Sequence, residues 1–357
     1  MTRIYLDHAA TTPMLPAAVA AVDAGMAHWA NPSSPHAEGR AARAAFEQAR
    51  ATIAAAHRWP GETLLTGGAS EALAITLGRC TLPRRLIGAT EHDAVIRAAP
   101  AADVIPVDAA GLIDRDRLAA MLSDEPAALV AVQWANSETG VRQPIAEIAA
   151  IVHEAGGLLL VDAAQMPAGA DPSLADHADF VALSSHKRGG PPGVGALLVR
   201  DLATLEPSGG QERGYRPGTE NVPGVLGYAA ALGEAPDMAR WAAMRARLDD
   251  AILRSGGEVV GADAPRHPAI GSYRMPGVAA TVQLIRLDLA GISVSAGSAC
   301  SSGSMKPSHV LAAMGWGEPA LREVVRVSFG ATTSEAEIDA FITAWRAIAR
   351  EARSRAA

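Results

Sequence analysis

Lys187 follows the apolar run Phe180-Val-Ala-Leu, with Ser184-Ser-His before it and Arg188-Gly-Gly after it. A lysine at the end of such a run can leave water, lose its proton and condense with an aldehyde, because burial disfavours the ammonium form. Taken alone, the placement also suits a solvated charge after a strand. Asp162 narrows the choice, since it closes a second apolar run, Leu158-Leu-Leu-Val-Asp. A carboxylate for a pyridinium nitrogen and a lysine for an aldehyde are the two requirements of pyridoxal phosphate.

Other residues are placed to complete that site. The turn Thr66-Gly-Gly-Ala-Ser-Glu follows a strand-like run and opens a helix. Its glycines let the backbone N–H groups of Ala69 and Ser70 face an anion at the helix N-terminus. Read alone, the same turn is an ordinary helix start capped by Ser70 or Thr66. It lacks the G-x-G-x-x-G spacing of a dinucleotide site. Ser184 and His186 flank the lysine and are candidate phosphate donors, although Ser184 also suits a core hydroxyl. His92, in Thr90-Glu-His, can stack on the pyridine and handle protons near neutral pH, or simply cap a helix. Gln165 stands three residues past Asp162, within reach of the cofactor's phenolic oxygen.

These elements need a scaffold, and the apolar pattern supplies one. The 357 residues are enough for one large and one smaller domain. Strand-like runs occur at 62–66, 85–89, 104–107, 128–134, 158–161, 180–183 and 194–199, most of them separated by helical segments, among them 36–57, 69–77 and 145–154. Several runs are continuously apolar, as expected of strands covered on both faces. The link between the last two is too short for a crossover, which predicts an antiparallel neighbour. The fold class is therefore α/β, with a mostly parallel mixed seven-stranded sheet. After about residue 240 the pattern changes: a helix at 238–255, short strands near Val259 and Gly277, a helix at 283–289, strands at 292–295 and 324–328, and a closing helix from Ser334. The expected division is a large domain at 12–240 and a small α/β domain formed by 1–11 and 241–357.

The net charge of −7 is spread over mixed acids and bases without a polybasic run, which argues against nucleic acid or an anionic membrane as partner. No apolar stretch is long enough to span a bilayer, and the N-terminus reads as no signal peptide. Two cysteines, Cys80 and Cys300, make a disulfide framework or a metal site improbable and a cytoplasmic enzyme the default. Cys80 ends a helix and reads as incidental. Cys300 lies in Ser295-Ala-Gly-Ser-Ala-Cys-Ser-Ser-Gly-Ser, whose small residues offer no packing stripe and read as an exposed flexible loop.

Seven motifs in order make the chain similar to the cysteine desulfurases of the class V aminotransferase superfamily. They are Tyr5-Leu-Asp-His-Ala-Ala-Thr-Thr-Pro, Asn31-Pro-Ser-Ser, Thr90-Glu-His, Val161-Asp-Ala-Ala-Gln, Ser184-Ser-His-Lys, Gly209-Gly-Gln-Glu-Arg-Gly and Gly218-Thr-Glu-Asn. The resemblance implies a fold type I homodimer with active sites at the subunit interface and Thr219 reaching the neighbouring subunit's phosphate. It implies that Asn31 and Arg326 hold the substrate carboxylate, a role the planar guanidinium suits, although Arg326 also suits a structural ion pair. It implies that L-cysteine is the substrate, that Cys300 attacks its sulfur, and that the resulting persulfide passes to an acceptor protein. The segment through Met305-Lys-Pro-Ser resembles the subgroup with a long mobile loop. Where relatives carry two adjacent asparagines, this chain has Asn136 and Ser137, and both are expected at the cofactor. Pro192 stands where a lysine is usual. The rival readings are a selenocysteine lyase or a class V aminotransferase, which would not need Cys300, and a degenerate scaffold that binds no cofactor.

Overall fold

The computed structural model describes residues 3–123, 125–233, 235–297 and 307–356, residues 355 and 356 by backbone alone. Along the first two thirds, helices and strands alternate. The chain runs β1 (Ile4–Tyr5), α1 (Pro16–Ala27), α2 (Ala37–Ala56), β2 (Glu62–Thr66), α3 (Ala69–Arg79), β3 (Arg84–Gly88), α4 (Asp93–Ala98) and β4 (Asp103–Ile105). It continues through α5 (Arg115–Leu122), β5 (Ala128–Gln133), α6 (Ile145–Glu154), β6 (Leu158–Asp162), α7 (Leu174–His177), β7 (Phe180–Ser184), β8 (Gly195–Val199) and α8 (Val222–Ala231).

Seven of these strands form one sheet in the order β2-β8-β7-β6-β5-β3-β4. Strand β8 is antiparallel to both of its neighbours, β2 and β7, and the other pairings are parallel. The short link after β7 therefore does what its length requires, and it reverses two pairings rather than one. Both faces are covered. Val130, Val132, Leu159, Val161 and Val181 pack on one side with Phe46 and Ile53. Leu129, Leu160, Phe180 and Leu197 pack on the other with Leu64 and Leu73. Successive residues of a strand point to opposite faces, so a strand buried on both has no polar position to spare.

Helices α1 and α8 pack against each other. Neither carries an amphipathic stripe, so neither stands out in the sequence. Their contact depends on missing side chains: a Cβ at Gly25 would lie 2.8 Å from Pro223 Cα, and one at Gly227 2.6 Å from Val22 Cγ2.

The remaining elements are α9 (Met238–Leu253), β9 (Glu258–Val259), β10 (Ile270–Arg274), α10 (Ala280–Leu289), β11 (Ile292–Ser293), α11 (His309–Ala313), β12 (Val324–Ser328) and α12 (Glu335–Ala356). Strands β12, β10 and β9 form an antiparallel sheet, while β1 pairs in parallel with β11. Leu6 thereby joins a separate core with Trp241, Leu248, Tyr273, Phe341 and Trp345. The strand expected near Gly277 is instead β10, and Gly277 itself turns the chain at φ 78°. Ser334 starts α12 through a reciprocal capping box: its N–H donates to Glu337 Oε2 at 2.7 Å, and the Glu337 N–H donates to Ser334 Oγ at 3.3 Å.

Gly195 opens β8 opposite Thr66 and Ser184. A Cβ there would meet Gly68 Cα at 2.6 Å, Gly68 C at 2.7 Å and the Leu183 carbonyl. Gly195→Ala is expected to lower stability by about 1–3 kcal/mol, the range for overpacking a close contact, and to displace the start of α3. Urea denaturation measures the first effect. An unchanged midpoint would mean that this approach carries no strain.

Candidate active site

The carboxyl ends of β6 and β7, the turn before α3 and the start of α4 surround a cavity of about 390 Å³. Lys187 enters it from a short 3-10 turn, His186–Arg188, which Gly189 closes in the left-handed region at φ 75°. Its Nζ donates to the carbonyls of Ala9 and Ala10 at 2.5 and 2.8 Å. The N-terminal segment is tied down on the same turn, with Thr12 N donating to His186 O at 2.9 Å. The lysine is thus held by neutral acceptors, a state from which it can be displaced.

Asp162 ends β6, lines the cavity and is 8 % exposed. Burial raises its carboxyl above the ordinary range; the Ala164 amide, at 2.9 Å, and the charges of His92 and Lys187 pull the other way. His92 is the N-cap of α4, its Nδ1 accepting from Ala94 N at 3.1 Å. A ring that accepts at Nδ1 presents its N–H at Nε2. Capping and cavity lining are one arrangement here rather than alternatives. His186 bonds Thr11 Oγ1 at 3.1 Å, and burial with the charge of Lys187 pushes it down to about 4. It acts as a neutral imidazole.

The start of α3 differs from both caps suggested by the sequence. Its N-cap is Gly68, at φ 144°, and no side chain accepts from the first turn. Thr66 Oγ1 instead donates to Gly68 O at 3.0 Å. The first-turn amides, beside Ala69 and Ser70, are left for an anion. Ser137, Gln165 and Ser184 also line the cavity, and Gln165 Nε2 donates to Ala9 O at 3.0 Å.

Asn136 is not part of the lining. Its Nδ2 donates to Thr90 O and Gln133 Oε1, and its Oδ1 accepts from the amides of Glu138 and Thr139. The amide is consumed in holding its own turn, so Ser137 alone of that pair faces the site. Arg326 is buried outside the cavity. Its Nη2 donates to Asp7 Oδ1 at 2.7 Å and its Nη1 to Ser137 O at 2.9 Å. Asn31 and Thr219 are exposed and do not line the cavity. Cys300 lies outside the described residues, but both flanks of its segment are anchored near the site. Ser295 Oγ donates to Asp7 Oδ2 at 2.8 Å, and Ser308 Oγ to Glu138 Oε2 at 2.6 Å. Cys80 is buried at the end of α3, away from the cavity.

Two further groups were not singled out from the sequence. Glu91 is buried beside His92 with Oε1 accepting from Gln133 N at 2.9 Å; burial holds its carboxyl well above the ordinary range, and the charge of Asp162 adds to this. Gln133 lines the cavity and donates to Thr90. A carboxylate inside a Thr-Glu-His motif carries no periodic signal to say that it points inward.

A lysine on carbonyl acceptors, a buried carboxylate, a histidine and an uncapped helix N-terminus, set around one cavity at the strand ends of a mixed sheet, are the donor set that pyridoxal phosphate requires. The residues fit the group: the start of α3 would take its phosphate and Asp162 its ring nitrogen. The chain belongs to the aminotransferase class-V family, whose model matches residues 4–341. It is 39 % identical to an IscS-like cysteine desulfurase of Mycobacterium tuberculosis, over 94 % of this chain and 93 % of the relative. A NifS-like protein from Rickettsia africae, solved by X-ray diffraction, superposes with a TM-score of 0.88 at 30 % identity, covering 97 % of this chain and 99 % of that one. A solved complex of a protein named SspA with cysteine matches at a TM-score of 0.79 and 28 % identity, over 93 % and 100 % of the two chains. The likeness read from the seven motifs thus extends through the whole chain.

Burial of Asp162 has a consequence for stability. A carboxyl whose folded pKa lies above its ordinary value weakens the fold as pH rises through that interval, because the unfolded chain then releases its proton first. Without cofactor, the Asp162→Asn protein should be at least as stable as the wild type at pH 7. The change in their difference should be complete below the ordinary carboxylate value of 3.8. Cofactor affinity should fall by roughly tenfold or more, since a charge-assisted hydrogen bond is lost. Urea denaturation across that pH range checks the sign, and a less stable cofactor-free variant at pH 7 contradicts it.

Proposed function

We propose that the protein is a pyridoxal-phosphate-dependent cysteine desulfurase, which converts L-cysteine to L-alanine and leaves the sulfur as a persulfide on Cys300. The observation that carries this reading is the convergence of Lys187, Asp162 and His92 with the uncapped start of α3 on one cavity. The cysteine-desulfurase relatives support the substrate, as does the cysteine bound by SspA.

Bound there, pyridoxal phosphate supplies an aldehyde and an electron-withdrawing ring. Asp162 holds the proton of the ring nitrogen, and the cation draws its raised carboxyl back to the ionised form. Lys187 leaves the carbonyls of Ala9 and Ala10, then moves the substrate's α-proton. The first-turn amides of α3, with Ser184 and His186, bind the phosphate. His92 presents Nε2 for proton handling at the substrate. The Cys300 thiolate attacks the substrate sulfur, so that an S–S bond forms, the Cβ–S bond breaks and the electron pair stays on carbon. Protonation of Cβ then gives alanine, which balances L-cysteine and thiol against L-alanine and persulfide.

Arg326, already oriented by Asp7 and Ser137, receives the substrate carboxylate together with Asn31. In a homodimer the exposed Thr219 completes the phosphate site of the other subunit. The persulfide serves an acceptor protein, including those of iron–sulfur cluster assembly. A thiol that must stay reduced between turnovers suits the cytoplasm.

Two variants test this. Cys300→Ala should keep the yellow cofactor and lose sulfide release and alanine formation from L-cysteine. Lys187→Ala should lower alanine formation by roughly a hundredfold or more, the usual effect of removing a positioned base. Sulfide release by Cys300→Ala at the wild-type rate would assign the chemistry to another class of lyase. Failure of the purified protein to bind pyridoxal phosphate would leave the scaffold reading.

A further inference from the structure

Lys187 and Gln165 also border a second cavity, of about 350 Å³, which His8 and Ala9 line as well. Two guanidinium groups line it. Arg188, next to Lys187, donates through Nη2 to Ala164 O at 3.0 Å, and no described carboxylate pairs with it. Arg240, in the first turn of α9, donates to the carbonyls of Ala331 and Thr333, again without an ion pair among the described residues. The carboxylate at the rim belongs to Asp237, whose Oδ1 caps α9 by accepting from Arg240 N at 2.9 Å. Histidines contribute no charge, since burial pushes His8 down to about 4 and holds His267 well below its ordinary value.

The cavity therefore holds positive charge without a matching anion. Burial alone pushes Arg188 down to about 10, the direction expected of a guanidinium whose counter-charge is missing. Much of the remaining wall is apolar. A charged group taken from water in this way is stabilised by an anion that offers hydrogen-bond acceptors, and the planar fork of arginine matches a carboxylate. The volume exceeds what an inorganic ion needs, and the walls favour hydrocarbon.

We propose that this cavity binds a small organic carboxylate with an apolar body, its charge held by Arg188 and Arg240 and its body by Leu15, Leu232, Trp241 and Phe329. The Ala9 carbonyl, which accepts from both Lys187 and Gln165, forms part of the dividing wall. Lys187 lines both cavities, so a ligand in the second lies beside the lysine itself. Neither guanidinium has a part in sulfur transfer, so the two proposals stand or fall separately.

Benzoate is a suitable probe, with benzyl alcohol as its uncharged counterpart. Calorimetric titration of the cofactor-loaded enzyme should show one benzoate site and far weaker binding of the alcohol. Arg240→Gln should weaken benzoate roughly tenfold or more, as loss of a charged hydrogen-bond partner does, and Arg188→Gln should do the same. Ser70→Ala, in the cofactor pocket, should leave benzoate affinity unchanged. If Arg240→Gln does not fold, Arg240→Lys replaces it, since lysine lacks the fork and should also bind more weakly. Absence of benzoate binding to the wild type overturns the proposal. So does equal affinity in the Arg240 variant.

Discussion

Two backbones approach each other at Gly68 and Gly195, and the candidate site is organised around that approach. Strand β8 is inserted between β2 and β7 against the direction of both, so its first residue lies between the end of the strand that feeds α3 and the end of the strand that feeds Lys187. With hydrogen in place of a side chain, the α3 turn sits directly on this edge. Thr66 and Ser184 flank Gly195 from either side, so a phosphate at the helix start would lie about two ladder spacings, roughly 10 Å, from the strand end that leads to the lysine. A side chain at Gly195 would open that distance, while at Gly68 the backbone conformation, φ 144°, disfavours one. The reversed strand, which looks like an irregularity in an otherwise parallel sheet, is what brings the anion site and the amine together.

The electrostatics of the site follow from where the strands end. Asp162 at the end of β6, and Glu91 and His92 just past β3, flank the end of β5 in a region where burial penalises charge. Burial drives both carboxyls toward their neutral forms, against the charges of His92 and Lys187 at Asp162. In the proposed reaction a protonated ring nitrogen would relieve Asp162 and leave Glu91 to its backbone partner. The arrangement is unfavourable for the carboxylates by itself and would become favourable with a positive ring in the cavity. Lys187 shows a related logic: the carbonyls of Ala9 and Ala10 hold its amine at the cavity. Arg326 is treated differently. Its pairing with Asp7 fixes the guanidinium but also sets a competitor against any incoming carboxylate.

The features legible in the sequence were those with a periodic or positional signature. Continuous apolar runs gave the seven strands of the large sheet, and the residues closing two of them were Asp162 and Lys187. A glycine turn between a strand and a helix marked the start of α3. What could not be read were partnerships made by the fold. Asp7 meets Arg326 across 319 positions, a pairing without a local trace. Asn136 has the right residue type for a ligand contact, yet its amide satisfies the turn that carries it. Thr66 and Ser70 both have capping side chains, but Gly68 takes the cap because its backbone conformation, at φ 144°, excludes a side chain. Helices α1 and α8 have small residues on all sides, so their helicity is set by mutual packing. The second cavity was equally hidden, because Arg188 beside Lys187 reads as one more surface charge until the walls around it are in place.

The central claim is that the amine of Lys187 and the thiol of Cys300 serve one reaction. Mass spectrometry of the cofactor-loaded protein after brief exposure to L-cysteine, without reductant, tests it most directly. The account predicts one added sulfur atom on the peptide containing Cys300, none on the peptide containing Cys80, and alanine formed in equal amount. Alanine without sulfur on Cys300, or sulfur on that peptide in the Lys187→Ala protein, would contradict it.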